Sequence, residues 1–456
     1  MACVRLCRYV GIWPRYVRGM GEGQVPCGRT GTSYQSRNHS SARASTMPDP
    51  KSIMLGIETS CDDTCVSLVN GGGYVLHRSV ENQISLNEKF GGVNPAAAKE
   101  AHEQIIDDLV QQAFDVTGVS PTSLAGVAAT AGPGLRICLE VGLQKALDVA
   151  KEYNKPFFPI HHLEGHILVS ELKGTPITFP TLCFVASGGH TQLILARSVG
   201  DYKILAGTLD DAVGEAYDKV ARMLCLADRF GATPHGGALV ERAAREFSFL
   251  GKRSSEYVPV SVPFLRDRDV VDFSFSGMKT SIARHVQKIS NGPAALQKMA
   301  DVRGNFDNET SGAIAMSFQV AVAKHIQNSF RRALLKLRDS EEEDVPRSLF
   351  FVGGVAQNRF LYRRISQACS EFGVENVICP PPQLCTDNAE MIAWAGLRRQ
   401  AMGVAPGPSE LAAYPRWSLD ADIPNMFQYC SPPPTHRHPR RERNVYGDPP
   451  SLKITH

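Results

Sequence analysis

Two histidines in the chain are spaced to bind a single metal ion. His162 and His166 lie four residues apart, directly after a strand-like apolar run at residues 156–160. On a helix, side chains at i and i+4 lie on one face, so both imidazole rings can reach one ion. His161 lies about 100° around the helix from His162 and is a poorer ligand. Such a pair is often structural, so a metal site also requires a third ligand.

The glutamate between these histidines distinguishes the pattern from a metalloprotease motif. In HExxH the glutamate directly follows the first histidine and acts as the base at a zinc site. Glu164 instead lies two residues after His162. On a regular helix this spacing turns it roughly 200° away from the ligand face. A metalloprotease is therefore an alternative that the spacing argues against.

The third ligand must come from a distant part of the chain. The best candidate source is a polar Cys-Thr-Asp-Asn turn at residues 385–388, which follows three prolines and precedes an apolar helix. Two histidines and one carboxylate leave coordination positions open to a substrate oxygen. They suit iron, zinc or another divalent ion.

Glycine-rich or polar turns follow four apolar, strand-like runs. The runs and their turns are residues 53–57 before 58–64, 127–130 before 131–134, 182–186 before 187–190, and 349–352 before 353–354. Glycine lets the backbone approach a ligand closely, and a helix N-terminus offers free N–H groups to an anion. Four such turns predict a phosphate-bearing ligand held between lobes.

The same strand–turn–strand plan occurs twice, at residues 53–69 and 182–195. This repetition predicts a duplicated α/β lobe. A long helix with a basic end is predicted at residues 311–338.

The two ends of the chain differ in composition from its centre. Residues 1–48 are rich in Arg and Ser, with Glu22 as their only acid, and resemble a mitochondrial transit peptide. A disordered basic tail is the alternative. Residues 424–456 are rich in Pro and Arg and predict a disordered tail. The folded body is therefore predicted at residues 52–423, which is long enough for two lobes.

The charge distribution excludes a generally basic nucleic-acid binder. The first 51 residues carry +6 and residues 424–456 carry +3, so the total of +3 leaves −6 for residues 52–423. RNA would then need a local basic patch, although each basic cluster can equally be a solvated surface. The candidate clusters are Arg331, Arg332, Lys336 and Arg338; Arg363 with Arg364; Arg398 with Arg399; and Arg437, Arg440, Arg441 and Arg443 in the tail.

The remaining composition fits a soluble enzyme in a reducing compartment. Twelve cysteines without a CxxC pair predict reduced, mostly buried thiols. The chain contains no uncharged apolar run of 18 residues, so no membrane span is predicted.

Nine motifs resemble those of the tRNA N6-adenosine threonylcarbamoyltransferases, a family once described as O-sialoglycoprotein endopeptidases. The resemblance is strongest to the mitochondrial branch and covers about residues 53–405. The motifs are GIETSCD at 56–62, TAGPGL at 130–135, HLEGH at 162–166, SGGHT at 187–191, DDA at 210–212, DK at 218–219, DFSFSG at 272–277, GGV at 353–355 and CTDN at 385–388. The chain departs from the family pattern at residues 62–63, 91–96 and 136–138.

The resemblance implies an α/β, actin-like ATPase fold of duplicated RNase H-like lobes, with nucleotide and metal in the cleft between the lobes. It implies one divalent metal ion per subunit, iron or zinc, held by His162, His166 and Asp387. The donor would be threonylcarbamoyl-AMP. It would be contacted by Val185, Ala186, Ser187, Gly188, Gly189, Asp218, Gly237 and Asn358. The alternative for Asp218 is a carboxylate on a helix surface. No catalytic side chain is assigned.

The implied activity is a metal-assisted acyl transfer in the mitochondrial matrix. The threonylcarbamoyl group would pass to N6 of the adenosine 3′ of the anticodon, in mitochondrial tRNAs that read codons beginning with A. The implied partners are tRNA, the donor and a second copy of the chain, with no membrane. A sugar kinase or actin-like ATPase is the other alternative, because it would share the glycine turns. Such a protein has no use for the histidine pair.

Overall fold

The structure, a computed structural model, describes residues 47–83, 86, 90, 93–174, 176–231, 236–249, 258–267, 269–290, 302–340 and 345–420. The predicted transit peptide, apart from its last two residues, lies outside the described residues. The predicted tail at 424–456 lies wholly outside them.

The first lobe is built on a five-stranded mixed sheet in the order β3-β2-β1-β4-β5. Its strands are β1 Ile53–Glu58, β2 Asp63–Asn70, β3 Val75–Asn82, β4 Gly126–Gly132 and β5 Phe157–His161. β1, β2 and β3 pair antiparallel, whereas β1, β4 and β5 run parallel. Helices α1 (Pro95–Thr117) and α2 (Arg136–Glu152) pack against one face. The parallel strands are mainly apolar because both of their faces are covered. Their polar residues, Glu58, Thr130 and His161, lie toward the C-terminal ends of the strands.

The second lobe repeats this plan. Its sheet has the order β8-β7-β6-β9-β10, with the same pattern of parallel and antiparallel pairs. The strands are β6 Thr181–Ala186, β7 Thr191–Ser198, β8 Asp201–Gly207, β9 Ser348–Val352 and β10 Asn376–Ile378. The predicted duplication is therefore confirmed.

Within the described residues, six helices belong to the second lobe. They are α4 Val213–Met223, α5 Leu226–Phe230, α6 Gly236–Phe249, α7 Ser276–Ile289, α8 Asn308–Asp339 and α9 Arg359–Ser370. They share one apolar core with the outer face of the sheet, where Phe184 and Phe351 pack with Phe273 and Phe330. The predicted long helix is confirmed as α8, whose first turn is capped by the Asp307 carboxylate.

A layer of short helices lies between the two sheets. It consists of α3 (His162–Leu168), α10 (Pro382–Cys385) and α11 (Ala389–Ala401). One apolar cluster joins Met54 of the first sheet, Val185 of the second sheet, and Ile392 and Trp394 of α11. Residues 389–399 of α11 are all buried, including the charged Glu390, Arg398 and Arg399. The elements that carry the predicted metal ligands therefore lie between the lobes.

The strands predicted from the apolar runs are all present, with several boundaries corrected. β4 extends through Ala131 and Gly132, and β2 begins at Asp63, so both of the predicted turns concerned are shortened. Glu58 belongs to β1 and not to the following polar turn, so that turn is shorter than predicted. Within the described ranges, no helix is long and apolar enough to cross a membrane. The eight described cysteines are free.

Candidate metal and nucleotide site

The histidine pair lies on a seven-residue helix that begins where β5 ends. His161 caps this helix, because its Nδ1 accepts a hydrogen bond from the Leu163 N–H at 3.1 Å. Its Nε2 lies 3.2 Å from the Trp417 carbonyl oxygen. Burial holds the pKa of His161 well below its usual value. His161 is thus a neutral capping residue, and the expectation that it is a poor metal ligand is consistent with this role.

The structure brings His162, His166 and Asp387 together. The Asp387 Oδ1 atom lies 3.5 Å from His162 Nε2 and 3.1 Å from His166 Nε2. One potential ligand atom from each residue lies within 4.8 Å of the others, the only such His/Cys/Asp/Glu group within the described ranges. Both histidines are buried, and Asp387 immediately precedes Asn388, the N-cap of α11. The histidines identified by their spacing and the polar turn at residues 385–388 thus lie together in the fold.

A second carboxylate lies behind His162. Glu58 Oε2 is 3.4 Å from His162 Nδ1, and Ser60 Oγ is 3.3 Å from the same nitrogen. Glu58 is held by hydrogen bonds from the Ser60 N–H at 2.7 Å and from the Thr130 hydroxyl. A metal-bound histidine usually donates its other ring N–H to such a group, which fixes the tautomer. The donor set therefore fits a divalent ion placed between both Nε2 atoms and Asp387.

The charges in this cluster favour a cation. Burial alone would lower the pKa of His162, but Asp387 and Glu58 outweigh it and raise the pKa to about 9. Burial would raise the pKa of each carboxyl. The interactions of Glu58 with His162 and Ser60, and of Asp387 with His162, His166 and His190, together outweigh burial and leave both pKa values below the usual value. The buried Glu58 carboxylate and the partly exposed Asp387 carboxylate therefore stabilise positive charge between them, as a metal ion would supply.

His190 connects this cluster to the predicted glycine turn at residues 187–190. Its ring centroid lies 5.8 Å from that of His162. Burial, followed by the charges of His162 and His166, lowers the pKa of His190 to about 4. His190 is therefore neutral near pH 7. His190 belongs to the SGGHT motif but was not among the predicted site residues. The neighbouring sequence does not indicate which residues its ring would contact.

Most of the N–H groups of the glycine turn are used inside it. The Ser187 N–H donates to the His190 carbonyl at 2.8 Å, while the Gly189 and His190 N–H groups donate to Ser187 Oγ at 3.3 and 3.1 Å. Among the described hydrogen bonds, the N–H of Gly188 is the one left for a ligand. The turn thus leaves one such donor, where the glycine pattern predicted several.

Two neighbouring backbone segments support this turn. The Gly214 N–H at the start of α4 donates to the Ser187 carbonyl at 3.1 Å. Gly353 has φ +90°, and a Cβ there would overlap the carbonyl oxygen of Ala186. Ala186 and Val185 are buried in β6. The first and last glycine loops of the second lobe therefore abut.

The other predicted donor contacts lie around α4 and the start of α9. The Gly237 N–H donates to Asp218 Oδ1 at 3.2 Å, so these two residues are adjacent. Asn358 caps α9, because its Oδ1 accepts from the Leu361 N–H at 3.0 Å. Its Nδ2 donates to Gln319 Oε1 at 3.2 Å. The hydrogen bonds of the Asn358 side chain thus mainly stabilise the start of α9.

The described basic clusters differ in accessibility. Arg398 and Arg399 are 0% and 3% exposed, so this candidate cluster is neither an accessible RNA-binding patch nor a solvated surface. Arg331 forms two 2.6 Å contacts with Glu371, and Arg332 donates to the carbonyls of Phe264 and Val270. Arg363 and Arg364 are exposed on α9. The tail arginines lie outside the described residues.

Two sheets of identical order, with a ligand cluster between the lobes, define an α/β protein of the actin-like ATPase fold. The family model described as TsaD, tRNA N6-adenosine threonylcarbamoyltransferase, matches residues 74–394. The chain belongs to this family, as its motifs predicted, and it is a transferase.

Two relatives agree with this assignment, and one solved structure shows a similarity only. The tRNA N6-adenosine threonylcarbamoyltransferase of Rhizobium meliloti (strain 1021) is 39% identical over 374 residues, covering 81% of this chain and 96% of the relative. A protein of Arabidopsis thaliana named "Probable tRNA N6-adenosine threonylcarbamoyltransferase, mitochondrial" is 36% identical over 384 residues, covering 81% and 75%. Component A of (R)-2-hydroxyglutaryl-CoA dehydratase from Acidaminococcus fermentans covers 77% of this chain and 99% of its own, with 12% identity and a TM-score of 0.41.

Proposed function

We propose that the chain transfers the threonylcarbamoyl group of threonylcarbamoyl-AMP to N6 of the adenosine 3′ of the anticodon. The N6–carbonyl bond forms as the bond from the carbonyl to the phosphate oxygen breaks, AMP leaves, and N6 loses a proton. The acceptors would be mitochondrial tRNAs that read codons beginning with A, and the reaction would take place in the matrix. The observation that carries the proposal is the meeting of His162, His166 and Asp387 beside the glycine turn that ends at His190. The relatives are named for this transfer, and one of them is named as mitochondrial.

The donor would lie across the second lobe, from the glycine turn to α9. Its phosphate would accept a hydrogen bond from the Gly188 N–H, because a glycine lets the backbone come close to a ligand. The Asp218 carboxylate would accept a hydrogen bond from a ribose hydroxyl, beside Gly237. The adenine would lie near Asn358, at the start of α9.

The chemistry chiefly requires positioning, because a carbamoyl-AMP mixed anhydride is already activated whereas the adenine amine is a weak nucleophile. A divalent ion held by His162, His166 and Asp387 would act as a Lewis acid on donor oxygens. The Nε2 atoms of both histidines face Asp387, with Glu58 holding His162 from behind. The neutral ring of His190 lies on the side toward the donor turn and adds no charge there.

Removal of the histidine pair tests the proposal. We expect His162→Ala, His166→Ala protein to lose bound metal, because Asp387 alone cannot retain an ion. Its transfer activity should fall to background. The measurements are elemental analysis of the protein and mass spectrometry of nucleosides from unmodified tRNA incubated with threonylcarbamoyl-AMP. His325→Gln, which changes a buried histidine elsewhere in the core, is the matched control and should retain both.

Two results would contradict the proposal. Full metal content in the double variant would show that His162 and His166 do not bind the metal. If tRNA stays unmodified after incubation with metal-loaded wild-type protein and intact donor, the proposed transfer is wrong. That result would favour a kinase-like ATPase.

A further inference from the structure

Glu164 has two buried partners on the side of α3 away from the metal cluster. Its Oε1 accepts a hydrogen bond from the Tyr202 hydroxyl at 3.0 Å, and its Oε2 forms an ion pair with Arg399 Nη2 at 2.6 Å. All three side chains are at most 5% exposed. The carboxylate therefore plays no part in the chemistry proposed above, as its helical position predicted. A buried charge is nevertheless costly to retain, so its partners need an explanation.

Arg399 also binds the strand that leads into α3. Its Nη1 donates to the carbonyl oxygen of Pro159 in β5 at 3.2 Å. One guanidinium thus binds the chain on both sides of the β5–α3 junction, where His162 lies. Tyr202 belongs to β8, so the same carboxylate also connects α3 to the second lobe.

The short helix α3 rests directly on α11. A Cβ added to Gly165 would lie 3.0 Å from Met391 Cγ and 3.1 Å from Ile392 Cδ1. A helix of seven residues is too short to be stable alone, so tertiary contacts must decide its rotation about its own axis. That rotation determines whether the two Nε2 atoms face Asp387, which lies just before α11.

We propose that Glu164 is a positioning residue for the metal site. Its contacts with Arg399 and Tyr202 fix the rotation of α3 and thereby hold His162 and His166 toward Asp387. This inference rests on the metal site proposed above. It assigns a task to the glutamate of the HLEGH motif that differs from the base of an HExxH protease.

A second buried ion pair on α11 provides a matched control. Arg398 Nη1 lies 3.2 Å from Glu171 Oε1, and the Trp394 indole N–H donates to Glu171 Oε2 at 2.9 Å. This pair involves the same helix and is about as buried. Glu171 lies in the 3-10 turn Val169–Lys173, after α3 has ended. Its loss should affect stability without rotating the histidines.

The experiment compares metal-free wild-type protein with Glu164→Gln and Glu171→Gln. Each is titrated with Co²⁺, and the dissociation constant is read from the visible absorption of the bound ion. Thermal unfolding of the metal-free proteins is followed in parallel. We expect both variants to unfold at lower temperature, because each leaves a buried arginine without its carboxylate. Only Glu164→Gln should bind Co²⁺ roughly 10- to 100-fold more weakly, the usual effect of losing support around metal ligands.

The outcomes separate the inference from the proposed function. Unchanged Co²⁺ affinity in Glu164→Gln, or equal weakening in both variants, would overturn the positioning role. If wild-type protein and His162→Ala, His166→Ala protein bind Co²⁺ equally, the metal site itself is wrong.

Tyr202→Phe serves if Glu164→Gln does not fold. It removes one hydroxyl and leaves the ion pair with Arg399 in place. We expect weaker Co²⁺ binding than wild type, in the same direction as Glu164→Gln. A Co²⁺ affinity equal to wild type in Tyr202→Phe would then count against the inference.

Discussion

At the scale of single residues, His325 shows how burial sets a protonation state away from the candidate site. It lies in the middle of α8, with its ring beside those of Phe264, Phe273 and Phe275. Its Nε2 accepts a hydrogen bond from the Ser274 N–H at 2.9 Å, which requires an unprotonated nitrogen. Burial, and then the charge of Arg332, lowers the pKa of His325 to about 4.

This shift predicts a loss of stability in mild acid. The unfolded chain takes up a proton on this histidine near pH 6.5, whereas the folded protein does so only near pH 4. The free energy of unfolding should therefore fall as pH drops from 6.5 to 4, by about 3 kcal/mol, and this contribution should level off below pH 4. Urea unfolding midpoints at several pH values measure the effect.

His325→Gln isolates the contribution of this residue, because a glutamine oxygen can accept the same hydrogen bond and does not titrate. The variant should lose part of the pH dependence between 6.5 and 4. An identical pH profile in wild type and variant would show that other groups cause the acid sensitivity.

The same scale shows what the sequence could and could not predict about the site. Helical periodicity correctly predicted that Glu164 points away from the ligand face. The angle between two side chains around one helix depends only on their spacing in the sequence. It could not identify Arg399 as the partner, since that pairing joins residues far apart in the chain. Glu58 was missed for the same reason, although a glutamate ending an apolar strand is a usable signal.

At the scale of elements, the strands were predictable and their arrangement was not. Apolar runs bounded by turn residues identify β1, β4, β6 and β9, because burial on both faces requires such runs. The strand order and the placement of α3 and α11 between two sheets depend on long-range packing. Repetition of the strand–turn–strand plan was the one sequence feature that indicated the duplicated architecture.

The adjacent glycines after β9 allow a direct test of the packing between two loops. Gly353 has φ +90° and leaves no room for a Cβ beside Ala186, whereas a Cβ on Gly354 would meet no atom within 4 Å. Gly353→Ala should therefore lower the free energy of unfolding by at least about 2 kcal/mol, through backbone strain and overlap. Gly354→Ala should change it by less than about 0.5 kcal/mol. Chemical denaturation of both variants measures the difference, and equal stability would contradict the described loop packing.

At the scale of the whole molecule, the composition of the N-terminal segment predicts where the protein is located. We expect a fluorescent fusion of the full chain to enter the mitochondrial matrix and one lacking residues 1–48 to remain in the cytosol. The reason is that an Arg-rich, acid-poor leader supplies the import signal. Fluorescence microscopy with a matrix marker measures the distribution. Matrix import of the truncated fusion would show that the signal lies elsewhere in the chain.

Charge at this scale restricts where tRNA can bind. Residues 52–423 carry a net −6, so phosphates must meet a local basic patch and not the surface as a whole. Arg398 and Arg399 are buried. In the cluster on α8, Arg331 and Arg338 pair with Glu371 and Asp339, and Arg332 and Lys336 donate to backbone carbonyls. Among the clusters within the described ranges, this leaves Arg363 with Arg364 as the best candidate.

We therefore predict that Arg363→Gln, Arg364→Gln protein binds tRNA more weakly and with a smaller salt dependence. Removing one arginine–phosphate ion pair should reduce the slope of log affinity against log salt by about 0.7 to 0.9, so neutralising both arginines should reduce it by roughly 1.4 to 1.8. Arg331→Gln is the control and should leave the slope unchanged, because its guanidinium already serves Glu371. Donor affinity should be equal in all three proteins, since Arg363 and Arg364 are exposed on α9 and outside the predicted donor site.

The measurement is tRNA affinity at four or more salt concentrations, with donor affinity determined in parallel. An unchanged slope in the double variant would exclude this patch and direct attention to the arginines of residues 424–456, whereas a parallel fall in donor affinity would mean that the two substitutions disturb the fold of α9.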